Sequence, residues 1–268
     1  MSSTVRLDVE LVTRGLARSR GHARALVEAG DVSVAGTVAR KASVPVAAGD
    51  RIVVREEGPR WVGRAAYKLV GALEVFGPAG LAVRGRRCAD LGASTGGFTQ
   101  VLLHHGAAHV VAVDVGHDQL VPDLASDPRV TDLPRTTVRG LQPEDIGGPV
   151  GLVVADLSFI SLTLVLGTVA ALLDPTGDAV VLVKPQFEVG RTRLGKGGVV
   201  REQGDRAWAV TEVARAALDA GLHPRAVAPS PILGGEGNAE YLLWLTPRAE
   251  HSMGWEALVV AADEVTAR

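Results

Sequence analysis

A single cysteine, Cys88, among 268 residues excludes an internal disulfide framework and a multi-cysteine zinc site. It suits a reducing compartment. No run is long enough to span a membrane: the longest charge-free apolar stretch, the 17 residues between Asp156 and Asp174, falls short of the roughly 20 that a span requires. It reads better as a strand end followed by a buried helix. The opening "MSSTVRLDVE" meets charges at Arg6, Asp8 and Glu10 before any apolar run develops, so a secretory signal is not expected. No histidine cluster with metal-ligand spacing is visible, and His104-His105 reads as the polar end of a helix before Gly106. These absences point to a cytoplasmic protein with no metal and no membrane partner.

What is present is ordinary globular composition, 47% hydrophobic and 22% charged. The length favours one large domain with a small one. The net charge of −2 is unevenly spread: residues 1–60 carry 10 Lys and Arg against 7 Asp and Glu. In this basic part Leu7, Leu11 and Val12 stand at helical spacing before Gly15. Ser19 can cap a second helix with Ala23, Leu26 and Val27 on its apolar face and Ala29-Gly30 as its stop. Two short strands follow, in "DVSVAG" and "DRIVV". Arg18, Arg20 and Arg24 gather where the second helix begins, with Arg6 and Arg14 nearby and Arg40-Lys41 in the hairpin, an arrangement suited to phosphate oxygens. The stretch "LVTRGLARSRGHARALVEAGDVSVAG" resembles an S4 domain, a small RNA-binding module, over residues 1–58. That resemblance implies RNA contacts by Arg6, Arg14, Arg18, Arg20, Arg24 and Lys41.

A linker, "REEGPRWVGR", is expected around residues 59–63, with Trp61 as a packing anchor, before a second domain over residues 64–268. "AAYKLVGALEVFG" places Ala65, Leu69, Ala72, Leu73 and Phe76 on one helical face. Lys68 lies beside that stripe, where an exposed helix lysine would stand. From residue 87 strands alternate with helices: "RCADLGA", "HVVAVDV", "RVTDL", "GLVVAD" and "DAVVLVK" predict a mostly parallel, Rossmann-like α/β sheet with helices on both faces. "PRAVAPSPILGGEGNAEYLLWLT" predicts an antiparallel pair closing that sheet.

The chemistry concentrates at strand ends. "ADLGASTGGFT" is a Gly-rich turn between a strand and a helix, so Asp90, Gly92, Ala93, Ser94, Thr95, Gly96, Gly97 and Phe98 are candidate cofactor contacts. Asp114 ends the next strand, 22 residues beyond Gly92, where a carboxylate can accept from ribose hydroxyls, with Val115 beside it. The glycines miss the G-x-G-x-x-G pattern of a pyrophosphate turn, and Asp90 adds negative charge beside the ligand. That charge favours the cationic S-adenosylmethionine over a nicotinamide dinucleotide. Asp156 and Lys184 end the fourth and fifth strands, and the carboxyl ends of parallel strands line one crevice.

The Asp156 and Lys184 segments, "AYKLVGALEVF" and "GNAEYLLWL" resemble the TlyA family of ribosomal RNA 2′-O-methyltransferases, related to FtsJ-type enzymes and historically also labelled haemolysins. The resemblance covers nearly the whole chain. It implies S-adenosylmethionine as cofactor, a ribose 2′-hydroxyl of ribosomal RNA within ribosomal subunits as acceptor, a cytidine as target, and a Lys-Asp-Lys-Glu tetrad at Lys68, Asp156, Lys184 and Glu240. Glu240 is preferred to Glu236 because it precedes the aromatic residue. One segment departs: where the family tends to show Glu-Arg-Thr-Asn near the adenine, this chain reads "PRTTVRG", with Pro134 and Thr137 at the polar positions. Three other classes stay open at this level: a nicotinamide-dependent oxidoreductase, which the Asp90 turn argues against, a non-catalytic RNA-binding or ribosome-assembly factor, and a membrane-lytic protein.

Overall fold

The computed structural model describes residues 4–28, 30–54, 59, 61–195 and 197–267. Ala29 and, in and before the expected linker, residues 55–58 and 60 lie outside the described residues. The chain divides into two compact units, Met1–Arg60 and Trp61–Arg268.

In the first unit, α1 (Leu7–Thr13) and α2 (Arg20–Glu28) pack Leu7, Leu11, Ala23 and Val27 into a small core with Val32 and Val46. The Ser19 hydroxyl accepts from the His22 N–H at 3.2 Å, capping α2 as its sequence suggests. Gly30, at φ +81°, turns the chain out of the helix. Among the described residues five strands are present where two are expected. The short strand β1 (Thr4–Arg6) pairs with β4 (Pro45–Ala47), while β2 (Val32–Val34) lies between β3 (Thr37–Val38) and β5 (Ile52–Val54), all antiparallel. Strands of two or three residues hold too few positions to show a period of two, which is why β1, β3 and β4 escape a pattern reading.

The second unit opens with α3 (Ala66–Phe76). It continues through β6 (Arg87–Leu91), α4 (Gly97–His104), β7 (His109–Val113), α5 (Pro122–Ala125), β8 (Val130–Leu133), β9 (Val150–Ala155), α6 (Leu166–Leu172) and β10 (Leu173–Val183). The remainder is α7 (Pro185–Glu188), α8 (Gln203–Asp219), β11 (His223–Pro229), β12 (Tyr241–Thr246) and α9 (Trp255–Thr266). The seven strands lie in the order β11-β12-β10-β9-β6-β7-β8, and β12 runs antiparallel to both its neighbours. The others are parallel, as the βαβ rhythm predicts.

Side chains alternate between two cores. Val181, Val183 and Leu243 face α6, α8 and α9, whereas Val180, Leu182 and Trp244 face α3 and α4. Both faces are therefore covered, which explains why the strands read as continuous apolar runs. The predicted antiparallel pair forms, but its reversed member is interior. Every residue of β12 is buried, so it seats between β10 and β11, and the half-buried β11 takes the edge. The helix α9, unread in the sequence, packs against α8 and β11. Trp61 packs within this unit, edge-on to His104 with ring centroids 5.6 Å apart.

At the amino end of the parallel strands the fully buried Asp178 accepts from Trp244 Nε1 at 2.9 Å and pairs with Arg86 at 2.8 Å and Arg248 at 3.3 Å. This carboxylate ties β10, β12 and the start of β6 together, leaving the opposite, carboxyl rim open for a site.

Candidate active site

Four side chains from four elements meet on that rim. Asp156 follows β9 and Lys184 follows β10, so two neighbouring parallel strands deliver them side by side. Glu240 immediately precedes β12, and because β12 is reversed, with Tyr241 opposite Val183, its beginning arrives at the same end. Lys68 comes from the first turn of α3 and is 6% exposed, in contrast to the exposed helix lysine that its position beside the apolar stripe suggests. Gly71 explains the approach of its helix: a Cβ there would stand 2.7 Å from Pro231 Cγ, in the loop leading to Glu240. Pro185, lacking an N–H, ends β10 and starts α7, turning the chain just past Lys184.

The four groups form a linear chain of alternating charge. Lys184 Nζ lies 2.6 Å from Asp156 Oδ1; Lys68 Nζ lies 3.0 Å from Asp156 Oδ2 and 2.8 Å from Glu240 Oε2. Lys184 and Glu240 are 6% and 3% exposed. Removing four charges from water costs several kcal/mol each. The cost is offset here because each interior member is paired on both sides and two ammonium groups balance two carboxylates. Lys184 also donates to Ser158 Oγ at 2.9 Å and stands 5.9 Å from the Phe187 ring centroid.

These groups border a cavity of about 620 Å³ whose other wall is the glycine turn. Gly92, Ala93, Ser94, Thr95, Gly97 and Phe98 line it together with Lys68, Asp156, Lys184 and Glu240. Gly92 adopts φ +86°, and a Cβ there would come within 2.8 Å of the Asp156 carbonyl oxygen, so only glycine lets the turn lie against that strand end. Gly96, at φ +97°, begins α4, but it and Asp90, Asp114 and Val115 are not part of the cavity wall.

Asp114 holds the turn in place: its carboxylate accepts from the Ser94 N–H at 2.8 Å and the Gly116 N–H at 2.7 Å. Each oxygen retains a further lone pair. Val115 beside it is 70% exposed, an apolar surface suited to a flat base. Asp90 is fully buried behind the turn, where its Oδ2 accepts from Thr99 Oγ1 at 2.7 Å and its Oδ1 has no protein partner. The glycine cradle and the exposed apolar side chain beside Asp114 fit a nucleoside cofactor. The segment after β8, with Pro134 and Thr137, is not part of this cavity's wall but is tied to the Asp114 loop: the Arg135 and Thr136 N–H groups donate to the carbonyls of Gly116 and Asp114 at 2.8 and 2.9 Å, and Thr137 borders a smaller cavity of about 430 Å³.

Several cavity residues carry no signal in the sequence. Phe159 is 92% exposed at φ +65°, with its ring centroid 5.4 Å from that of Phe187. Glu188 accepts from the Ser161 hydroxyl at 2.5 Å and the Leu162 N–H at 2.9 Å, joining the segments that bear these two rings, and burial holds its carboxyl above the ordinary value. The buried Asn238 accepts from the Val200 N–H at 3.1 Å and donates to the Gly198 carbonyl at 3.2 Å, fastening two glycine-rich loops of the wall. Glu236 reaches the cavity rim but is exposed and stands apart from the charge chain. No group of three or more His, Cys, Asp and Glu arranged to hold a metal occurs among the described residues.

In the first unit the expected RNA-binding arginines divide. Arg6 and Arg20 each reach the buried Asp8 at 3.0 Å and Arg24 approaches it at 3.6 Å, all three half-exposed. The Arg6 hydrogen bonds, with Arg20 beside them, hold the Asp8 carboxyl well below the usual carboxylate range. The Arg14 guanidinium is occupied internally by Glu10 and the carbonyls of Asp50, Ala47 and Ala48. Arg18 and Lys41 are exposed.

Burial pushes the Asp90 carboxyl up to about 7, against the Thr99 hydrogen bonds, with Asp156 and Asp114 adding to the rise. A folded value above the unfolded one, about 3.9, means that this group's stabilising contribution is full below pH ~4 and is lost as pH rises through about 7. The thermal midpoint of the ligand-free protein should therefore fall, relative to that of Asp90→Asn, between those limits. A constant difference across that window would refute the assignment.

Residues 61–246 match the FtsJ-like methyltransferase family and residues 5–52 the S4 domain. The chain is 51% identical over 96% of both chains to the 16S/23S rRNA (cytidine-2′-O)-methyltransferase TlyA of Mycobacterium tuberculosis. It is 36% identical to hemolysin A of Brachyspira hyodysenteriae, over 89% of this chain and 98% of that one. A solved hemolysin-named protein of Streptococcus thermophilus superposes with a TM-score of 0.72 at 35% identity, covering 100% of this chain and 97% of that one. The chain thus belongs to the FtsJ-like methyltransferase family, in the TlyA branch that joins such a domain to an S4 domain.

Proposed function

We propose that the protein transfers a methyl group from S-adenosylmethionine to the ribose 2′-hydroxyl of a cytidine in ribosomal RNA, acting on ribosomal subunits in the cytoplasm. The observation that carries this reading is the Lys184–Asp156–Lys68–Glu240 chain facing the glycine turn across one cavity. When bound, the cofactor supplies a methyl carbon already activated by cationic sulfur. What the protein must add is a nucleophile, because a ribose hydroxyl is a weak acid.

Lys184 stands at one end of the chain and, once it has released the proton of its resting ammonium, takes the 2′-hydroxyl proton, general-base work that contributes about 10²–10⁴-fold. Asp156 orients Lys184, while Lys68, held between two carboxylates, keeps Asp156 in place. Phe159 offers an aromatic face at the mouth of the cavity on which an unstacked base can lie, the common means of reading a single nucleotide of RNA. The S4 unit holds RNA phosphates through Arg18, Lys41 and the exposed edges of Arg6, Arg20 and Arg24. Such contacts position the target without specifying sequence. Arg14, engaged internally, serves the unit's own fold.

The test is methyl transfer from labelled S-adenosylmethionine to unmodified ribosomal subunits, with the product mapped to the ribose or the base. Wild type should label a ribose 2′-oxygen and Lys184→Ala should be slower by at least about 100-fold; equal rates, or label on a base, would contradict the reading. Phe159→Ala should weaken RNA affinity by about 1–3 kcal/mol and leave cofactor affinity unchanged. Loss of cofactor affinity instead would place Phe159 in a different role.

A further inference from the structure

Ser158 is a neighbour of Lys184 outside the charge chain. It lines the cavity and its side chain is exposed, so the hydroxyl serves no core. Its hydroxyl accepts from Lys184 Nζ at 2.9 Å, and Nζ also lies 2.6 Å from Asp156 Oδ1. Phe187, with its ring centroid 5.9 Å away, is too distant to occupy another position on the nitrogen. Two of the three non-carbon positions on Nζ therefore have oxygen partners, and Lys184 borders the cavity.

This count matters for a base. A neutral amine has two N–H bonds and one lone pair, and only the lone pair can take a proton. Asp156, ion-paired with Nζ at 2.6 Å, draws one N–H toward its carboxylate and leaves the second N–H and the lone pair free to exchange places by inversion. An acceptor oxygen at the second position places an N–H there and turns the lone pair to the third.

Resting on the proposed methyl transfer, we infer that Ser158 is a positioning residue that aims the Lys184 lone pair at the ribose hydroxyl. In the reacting form Nζ has given the proton of its resting ammonium to solvent; the 2′-oxygen then bonds the methyl carbon as the sulfur–carbon bond breaks, and its proton passes to Nζ, which is again an ammonium with N–H bonds directed to Asp156, Ser158 and the methylated oxygen. No other protein group gains or loses a proton. Ser158 thus acts through Lys184 and leaves substrate binding to other residues, which separates its effect from that of Phe159 next to it.

The experiment compares wild type, Ser158→Ala and Ser158→Thr in single-turnover methyl transfer at saturating RNA and S-adenosylmethionine, with both dissociation constants measured separately. Ser158→Ala should slow transfer by about 10- to 100-fold, the scale of a misdirected reacting group, with both dissociation constants within about twofold of wild type. Ser158→Thr, which keeps the hydroxyl, should recover most of that rate. An alanine variant as fast as wild type, or faster because the serine had capped the lone pair, overturns the inference. So does a threonine variant as slow as alanine, or a loss expressed only in RNA affinity. Wild type that transfers nothing to RNA overturns the proposed function and this inference with it, a result distinct from active wild type with an unaffected alanine variant.

Discussion

The buried chain of alternating charges, Lys184 to Asp156 to Lys68 to Glu240, is the constraint around which the rest of the second unit makes sense. Four ionised groups withdrawn from water are tolerable only if each meets an opposite charge at bonding distance. Each link is supplied by a different element. The adjacency of β9 and β10 supplies the first, the close seating of α3 the second and the reversed β12 the third. Were β12 parallel to its neighbours, Glu240 would begin at the far end of the sheet, about 3.3 Å per residue away, and Lys68 would lose a partner.

The same arrangement separates three kinds of carboxylate in one small region. Asp156 and Glu240 have lysine partners and support a network of fixed charge. Asp90, behind the glycine turn, has a threonine hydroxyl and no lysine, so burial is the main influence on its proton. Asp114 has a third role, bonded to backbone N–H groups and setting the shape of the turn. Sequence spacing alone treats all four as acidic residues at strand ends. Their surroundings distinguish them.

Much of this was legible before the structure. The parallel strands announce themselves because both faces are buried and the runs are apolar throughout, and Asp156 and Lys184 stand out as charges placed where such runs stop. Lys68 was not legible from its own residues: on α3 it reads as a surface lysine, and its partners are 88 and 172 residues away, so only the family resemblance pointed to it. Ser158 and Phe159 escaped for opposite reasons. A serine three positions past a strand end has no pattern to betray it, and hydrophobicity would bury the phenylalanine that the fold leaves exposed. In the first unit the cluster of arginines was visible but its anchor was not, because Asp8 reads as one more acidic residue in the first turn of a helix.

If the charge chain acts as one device, its distant members must be energetically coupled to the same step. A double-mutant cycle of Lys68→Met and Glu240→Gln, read as single-turnover methyl-transfer rates at saturating substrates, measures this directly. The account predicts that each substitution slows transfer and that the double variant is no slower than the worse single one, because either change breaks the same support of Asp156 and Lys184. Rate losses that multiply, as for two independent residues, would contradict it.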